Sequence, residues 1–279
     1  MSKGGSGPGR PPHIVETRRW HIATSESDHG RPEQSTERRN RAAWDEWSDT
    51  YQAKHGWLLR GEHAAAWGLW RVPEDTLRVL GDVAGRRVLE LGCGAAHWSA
   101  ELARRGARMV ALDNSSRQLR HARQAVAGHP VALVQAAAER LPFADATFDI
   151  LFSDYGGMSW ADPALSVGEA ARILVPGGVL AFCTTSPLFF LFFDADSGEL
   201  RTELQRDYFG MRTRPVAGIG IDYQVPFGEW IRLFTAAGLV VEELIEVCPP
   251  DGATTSFRDR PTSWASRWPV ENIWRVRKS

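Results

Sequence analysis

Between residues 86 and 184 the chain alternates short apolar runs with amphipathic helical patterns, and few architectures can bury both. The strand-like runs are Arg87–Leu91, Met109–Leu112, Val131–Gln135, Phe148–Ser153 and Gly178–Thr184. Helical spacing covers about residues 96–105, 115–127 and 163–174. The second of these, "SSRQLRHARQAVAGH", opens on capping serines and closes at a glycine. Such alternation demands right-handed βαβ crossovers, hence a parallel sheet with helices on both faces. The first strand runs straight into a glycine turn and a helix in "VLELGCGAAHWSAELARRG", residues 88–106. Strand, glycine turn and helix N-terminus form a general cradle for a nucleotide-bearing cofactor, although a tight turn without a ligand reads the same way.

The flanks differ from this core. Residues 1–40 are rich in Gly, Pro, Ser, Arg and Glu without a sustained period, which predicts a disordered tail. Residues 41–80 turn helical and aromatic, a helical N-terminal cap in which Trp44, Trp47 and Tyr51 fall at i, i+3 and i+7 on one helix face. That face either packs on the core or closes over a ligand. The cofactor-binding core spans 81–184. Residues 185–225 break the rhythm with an aromatic run and a charged stretch of helical character, "SPLFFLFFDADSGELRTELQRDYFGM", and read as a lid insertion over the substrate. A final helix near 226–237 and two strands, "LVVEELIEV" and "ENIWRVRKS", complete residues 226–279. Two strands joined without a crossover are most simply antiparallel, so the expected fold is α/β: a Rossmann-like, seven-stranded, mostly parallel sheet with an antiparallel edge strand.

Composition removes several classes of function. Net charge is −1 with 24% charged residues, which argues against general binding to nucleic acid or membrane surfaces. No apolar run approaches the roughly 18–20 residues that span a bilayer, and the polar N-terminus lacks a signal-peptide core, so a cytoplasmic location is expected. Cys93, Cys183 and Cys248 are too scattered for a metal site or a disulfide framework, and no metal is expected.

Two carboxylates narrow the cofactor. Asp113 ends the second strand, where an acid can accept both hydroxyls of a ribose. Glu90 stands two residues before Gly92, where it would repel a pyrophosphate but suit an ammonium group. His97 occupies the position of the third glycine in the dinucleotide fingerprint. NAD and FAD therefore lose ground.

"ELGCG" at 90–94, Asp113, "AERLPFADATFDILFSD" at 138–154 and "RILVPGGVLAF" at 172–182 resemble the class I S-adenosylmethionine-dependent methyltransferases, in the small-molecule, UbiE-like branch. The resemblance implies that Gly92 and Gly94 let the backbone approach the cofactor, and that Glu90 orients the turn and helps hold the amino end. It implies that Asp113 takes the ribose hydroxyls while Asn114, Ala138 and Glu139 border the adenine. Ser153 would lie under the methionyl part, with Asp154 and Tyr155 facing the transferable methyl as catalytic candidates. His97 would touch the cofactor or cap the site, and Tyr51 would close over it. Trp44 and Trp47 would cap the acceptor pocket, and the run holding Phe189 and Phe193 either lines that pocket, forms a core-facing helix or makes a dimer contact. The family often carries an acid one position before the "AE" pair. Ala137 stands there, which leaves adenine to backbone groups, apolar contact and Gln135.

Methyl transfer asks mostly for in-line positioning and desolvation, with a base only where the nucleophile must lose a proton. His55, His63 and His97 are further base candidates. The expected activity is transfer of a methyl from S-adenosylmethionine to O, N, S or C of a small, largely apolar or aromatic metabolite, leaving S-adenosylhomocysteine. Bacterial specialised metabolism, such as antibiotic biosynthesis, is the expected setting, and the protein a monomer or homodimer. The alternatives are an enzyme of the same fold that performs no transfer, such as a cyclase, and an RNA or protein methyltransferase.

Overall fold

A computed structural model describes Met1 and residues 35–279, apart from 62–63, 195, 217–218 and 258. The expected tail at 2–34 lies outside the described residues, as does His63. The first helix, α1 (Thr36–His55), begins inside the stretch assigned to that tail.

The alternating core forms β1 (Arg87–Leu91), α2 (His97–Arg104), β2 (Arg108–Asp113), α3 (Ser116–Ala125), β3 (Val131–Gln135), β4 (Phe148–Asp154), α4 (Pro163–Ile173) and β5 (Leu174–Thr185). After the insertion, which holds α5 (Pro187–Phe192), come α6 (Phe227–Ala236), β6 (Leu239–Glu246) and β7 (Glu271–Lys278). The strands make one seven-stranded sheet in the order β6-β7-β5-β4-β1-β2-β3. All neighbours pair in parallel except β7, which runs antiparallel to both β5 and β6. The antiparallel pair sits at the sheet margin as expected, with the reversed strand one place in.

Period two within each strand explains the two cores. On β1, Val88 joins a cluster with Trp98 and Leu102 of α2, whereas Leu89 and Leu91 face Val167 of α4 and Phe234 of α6. On β5, Ala181 and Cys183 point to the first side and Leu180 and Phe182 to the second. Helices therefore cover both faces.

Two expectations need correction. Among the described residues of the 41–80 segment, α1 and one 3₁₀ turn (Gly56–Leu59) are followed by a single further helical turn, Glu74–Leu77. Trp67, Leu69, Trp70 and Leu80 are buried in the first core, around a short antiparallel pairing of Ala66–Trp67 with Val72–Pro73. The charged part of the insertion is not helical: residues 201–212 are irregular, between hairpins at 193–200 and 213–223. Arg201 pairs with Asp194, Arg212 reaches Asp162 and Glu229 on other elements, and Arg206 donates to the Phe193 carbonyl.

Candidate active site

The glycine turn is fixed by the strand beside it. Gly92 and Cys93 donate to the carbonyl of Leu112 at 2.8 and 2.9 Å. Gly92 has a left-handed φ of +73°, and a Cβ on it would fall 2.7 Å from Gly156 Cα and closer still to the Gly157 nitrogen. Gly92 is thus required because the loop after β4 packs directly on the turn. Gly94, at φ +53°, faces open space, since a Cβ there would meet only Gln118 Oε1 at 3.8 Å.

Asp113 ties the turn to β2: Gly94 N donates to its Oδ2 and Ser115 N to its Oδ1, both at 2.8 Å. Each oxygen retains a further acceptor site. Burial raises the carboxyl to about 6 against backbone hydrogen bonds, from Ser115 and Gly94 above all, that lower it. Glu90 is buried beneath the turn and accepts from the N–H and hydroxyl of Ser99 in α2. Desolvation pushes it to about 8, so near neutrality it is mostly protonated until a cation approaches. The His97 imidazole is pushed down to about 4, by burial and then by the Arg60 and Arg71 charges, and its Nε2 is sealed from solvent without a partner.

A cavity of about 540 Å³ opens above these groups. At one end it meets Glu90, Gly94, Asp113, Asn114, Ala138 and Glu139; Gly92, His97, Asp154 and Tyr155 also border it. Over it lies an aromatic ladder: Trp160 meets Trp44 at 5.1 Å between ring centroids, Trp44 meets Trp47 and Tyr51 at 5.4 Å each, and Tyr51 meets His55 at 5.0 Å. His55 stacks on Phe257 at 4.6 Å and 2° between planes. Trp44, Trp47, Tyr51 and Phe193 line the cavity. The α1 aromatics therefore face the cavity, and α1 is docked by polar bonds instead. Asp45 accepts from Ser115 Oγ at 2.7 Å, Gln52 donates to Gln118 at 2.9 Å, and Asn40 bonds both the carbonyl and the N–H of Ile221.

Two candidates lie elsewhere. Ser153 is fully buried and its hydroxyl staples β4 to β1, donating to the Leu91 carbonyl at 2.9 Å. Phe189 is sealed in the core against Phe193 at 5.3 Å and Trp264 at 5.8 Å, beneath the wall it would line as a pocket residue. The Gln135 amide donates to the Asn114 carbonyl at 3.1 Å.

Asp154 and Tyr155 prove unequal. The Asp154 carboxylate accepts from Gly68 N at 3.0 Å, Trp98 Nε1 at 3.2 Å and Arg71 Nη1 at 3.3 Å, so its lone pairs are engaged in bracing the wall. Tyr155 adopts φ +53°, an uncommon and strained conformation for a bulky residue. Its hydroxyl donates to Glu271 Oε2 at 2.9 Å. Glu271, fully buried at the start of β7, is raised to about 7 by desolvation against hydrogen bonds from Leu69 N and Tyr155. Arg71, Arg214, Arg260 and Glu271 escaped the sequence reading. They come from four separated segments without a local motif, and only their burial in the fold marks them.

A glycine turn under an acid-ended second strand within a 3-2-1-4-5-7-6 sheet gives the chain the Rossmann-like fold of solved S-adenosylmethionine-dependent methyltransferases. Residues 89–182 match the family model described as "Methyltransferase domain". A demethylmenaquinone methyltransferase of Clavibacter sepedonicus is 37% identical over 146 residues, covering 52% of this chain and 57% of that protein. A malonyl-[acyl-carrier protein] O-methyltransferase of Pectobacterium atrosepticum is 36% identical over 112 residues, covering 40% of this chain and 43% of that protein. The chain spans about half the length of the curated relatives it matches. A solved S-adenosylmethionine-dependent methyltransferase from Mesorhizobium loti superposes with a TM-score of 0.61 at 23% identity, covering 73% of this chain and 96% of that one, a likeness of fold. The matched segment holds every expected cofactor residue except Tyr51 and ends before the insertion. Among the described residues, no helix is long and apolar enough to cross a membrane, and no group of three His, Cys, Asp or Glu could hold a metal ion.

Proposed function

We propose that the protein transfers a methyl group from S-adenosylmethionine to a small, largely apolar or aromatic acceptor enclosed beneath α1 and the insertion. One observation carries the reading: a single cavity joins the Asp113 turn to the aromatic ladder, so cofactor and acceptor share one space.

The residues present suit this cofactor. Asp113 keeps acceptor capacity on both oxygens for a ribose diol, and Gly94 leaves room above it. The buried Glu90 offers an acceptor to an ammonium group, and the neutral His97 borders the cavity beside it. Ala137 and Ala138 leave the adenine edge to apolar contact and backbone groups. The bound cofactor supplies an electrophilic methyl on a sulfonium. The chain's part is to orient, desolvate and handle a proton. Aromatic faces near a sulfonium add cation–π attraction, on the order of 1 kcal/mol or more when water is excluded. Where the nucleophile must lose a proton, the Tyr155 hydroxyl can pass it to Glu271, whose burial brings it to the working range near neutrality. Asp154 positions the wall through Arg71, Gly68 and Trp98.

Calorimetric titration with S-adenosylmethionine and S-adenosylhomocysteine, on the wild type and Asp113→Ala, tests the cofactor site. Saturable binding lost in the variant is expected; no binding to the wild type would overturn the proposal. Acceptor-dependent release of S-adenosylhomocysteine then separates transfer from a cyclase-like use of the same site.

A further inference from the structure

Beyond the aromatic ladder the cavity meets two arginines that a purely apolar acceptor would not explain. Arg260 and Arg214 both border it. The Arg260 side chain is only 8% exposed, its Nε has no hydrogen-bond partner, and Asp259 Oδ2 stands 3.7 Å from that Nε, beyond hydrogen-bond reach. Its guanidinium lies among three rings, 5.1 Å from the centroid of Phe189, 5.7 Å from Phe257 and 5.8 Å from Tyr155. Arg214, 11% exposed, lies 4.7 Å from Phe190 and 5.4 Å from Phe193. It donates to Asp222 Oδ2 at 3.2 Å, and its Nε too lacks a partner. A buried guanidinium carries five donors and a heavy desolvation cost, so such heads are ordinarily paired and hydrogen-bonded. Cation–π contacts with three rings recover part of that cost and leave the donors in the guanidinium plane unanswered.

We propose that Arg260, with Arg214 beside it, forms a carboxylate subsite at the acceptor end of the cavity, so that the acceptor is an aromatic or apolar body bearing one acid group. The inference rests on the methyltransferase reading above and deepens it. Charge bookkeeping favours a monoanion over a phosphate. Asp222 and Asp259 already supply negative charge around the two guanidiniums, and both guanidiniums keep an Nε donor without an acceptor. A carboxylate meets a planar guanidinium fork with two parallel hydrogen bonds and adds a single charge. The rings that contact Arg260 also set where the acid must lie. Phe257 continues the stack from His55, Tyr51 and Trp44, so a flat acceptor under that ladder presents its far end to Arg260.

The test uses protein loaded with S-adenosylhomocysteine and a panel of aromatic carboxylic acids, each matched with its primary amide, titrated by calorimetry. Acids of the panel are expected to bind at least tenfold tighter than their amides. Arg260→Gln should remove that preference and Arg260→Lys should restore only part of it, while both keep wild-type affinity for S-adenosylhomocysteine, which shows the variants folded. Amides that bind as well as acids, an acid preference that survives Arg260→Gln, or a panel in which no acid binds the loaded wild type would each overturn the subsite. Failure of S-adenosylhomocysteine to bind the wild type would instead bring down the methyltransferase reading beneath it.

Discussion

The two ends of the cavity are built by different means. The Asp113 end is assembled from neighbours in sequence: a strand, a turn, a helix and the next strand bring Glu90, Gly94, His97 and Asp113 together through backbone hydrogen bonds. The acceptor end collects Trp44 from α1, Arg214 from a hairpin, Phe257 and Arg260 from a loop, and Glu271 from the last strand, joined by rings and ion pairs. A local frame tolerates little change, because each residue is fixed by the one before it. A dispersed wall can vary one segment at a time, so it is the place where a new acceptor would be accommodated.

The largest effect should come from loading the local end with one methyl group. Gly92→Ala must find room where the Gly156–Gly157 backbone already stands, at a φ that side chains avoid. We expect a loss of several kcal/mol, of the order of the overpacking and backbone-strain costs, about 3 kcal/mol or more. Urea denaturation measures it. An alanine variant within about 1 kcal/mol of wild type would mean that the turn is softer than the contrast requires.

Next in size is a pH effect specific to the same end. Burial raises Glu90 from its ordinary 4.5 to about 8, so the native state holds that proton more tightly than the unfolded chain. Stability from this group is therefore fully present below pH 4.5 and falls as pH rises towards 8. Glu271, raised to about 7, adds to the decline over 4.5–7. The melting temperature of the ligand-free protein should drop by several degrees between pH 6 and 8. Glu90→Gln, which keeps an acceptor for Ser99, should flatten that slope, and S-adenosylmethionine should flatten it too by bringing a cation to the carboxylate. An unchanged slope in the variant would shift the titration to Glu271 and the opposite end.

The same contrast explains what the sequence could disclose. Apolar runs and helical spacing located all seven strands to within a few residues, because each strand is a short, continuous segment whose pattern its own neighbours determine. Asp113 and Glu90 were legible for the same reason. Residues 201–212 misled because charged, helix-compatible residues there satisfy themselves with cross-loop ion pairs in place of a helix face. Phe189 was placed by an aromatic run that fits a pocket or a core equally, and Ser153 by a family resemblance, but the side on which each residue points depends on packing with Trp264 and β1. Arg260 and Glu271 were invisible: an arginine in a Pro/Ser loop and a glutamate opening a strand look like surface residues until the fold buries them.

A smaller effect is expected at the dispersed end. Trp44→Ala removes one rung of the ladder, which α1 holds in place through separate polar bonds at Asp45, Gln52 and Asn40. The helix should therefore stay docked, and the acceptor KM should rise about tenfold, the worth of one aromatic contact of roughly 1–1.5 kcal/mol. Affinity for S-adenosylhomocysteine should change by less than about threefold, under 0.7 kcal/mol. Steady-state kinetics beside calorimetry separates the two; an equal loss on both sides would show that Trp44 belongs to the cofactor end.

The smallest effect sharpens the boundary between the ends. Gln135 ends β3, two residues before Ala137, yet its amide is committed to the Asn114 carbonyl and the residue is exposed to water. Gln135→Ala exchanges that partner for solvent, and an exposed hydrogen bond of this kind contributes about 0.5 kcal/mol or less net. The variant should bind S-adenosylmethionine within about twofold of wild type, less than 0.5 kcal/mol. A larger loss would mean that the side chain swings onto the adenine when the cofactor enters, making the local end adaptive at its rim. Constancy would leave adenine recognition to the backbone and the two alanines, Ala137 and Ala138, that border the cavity there.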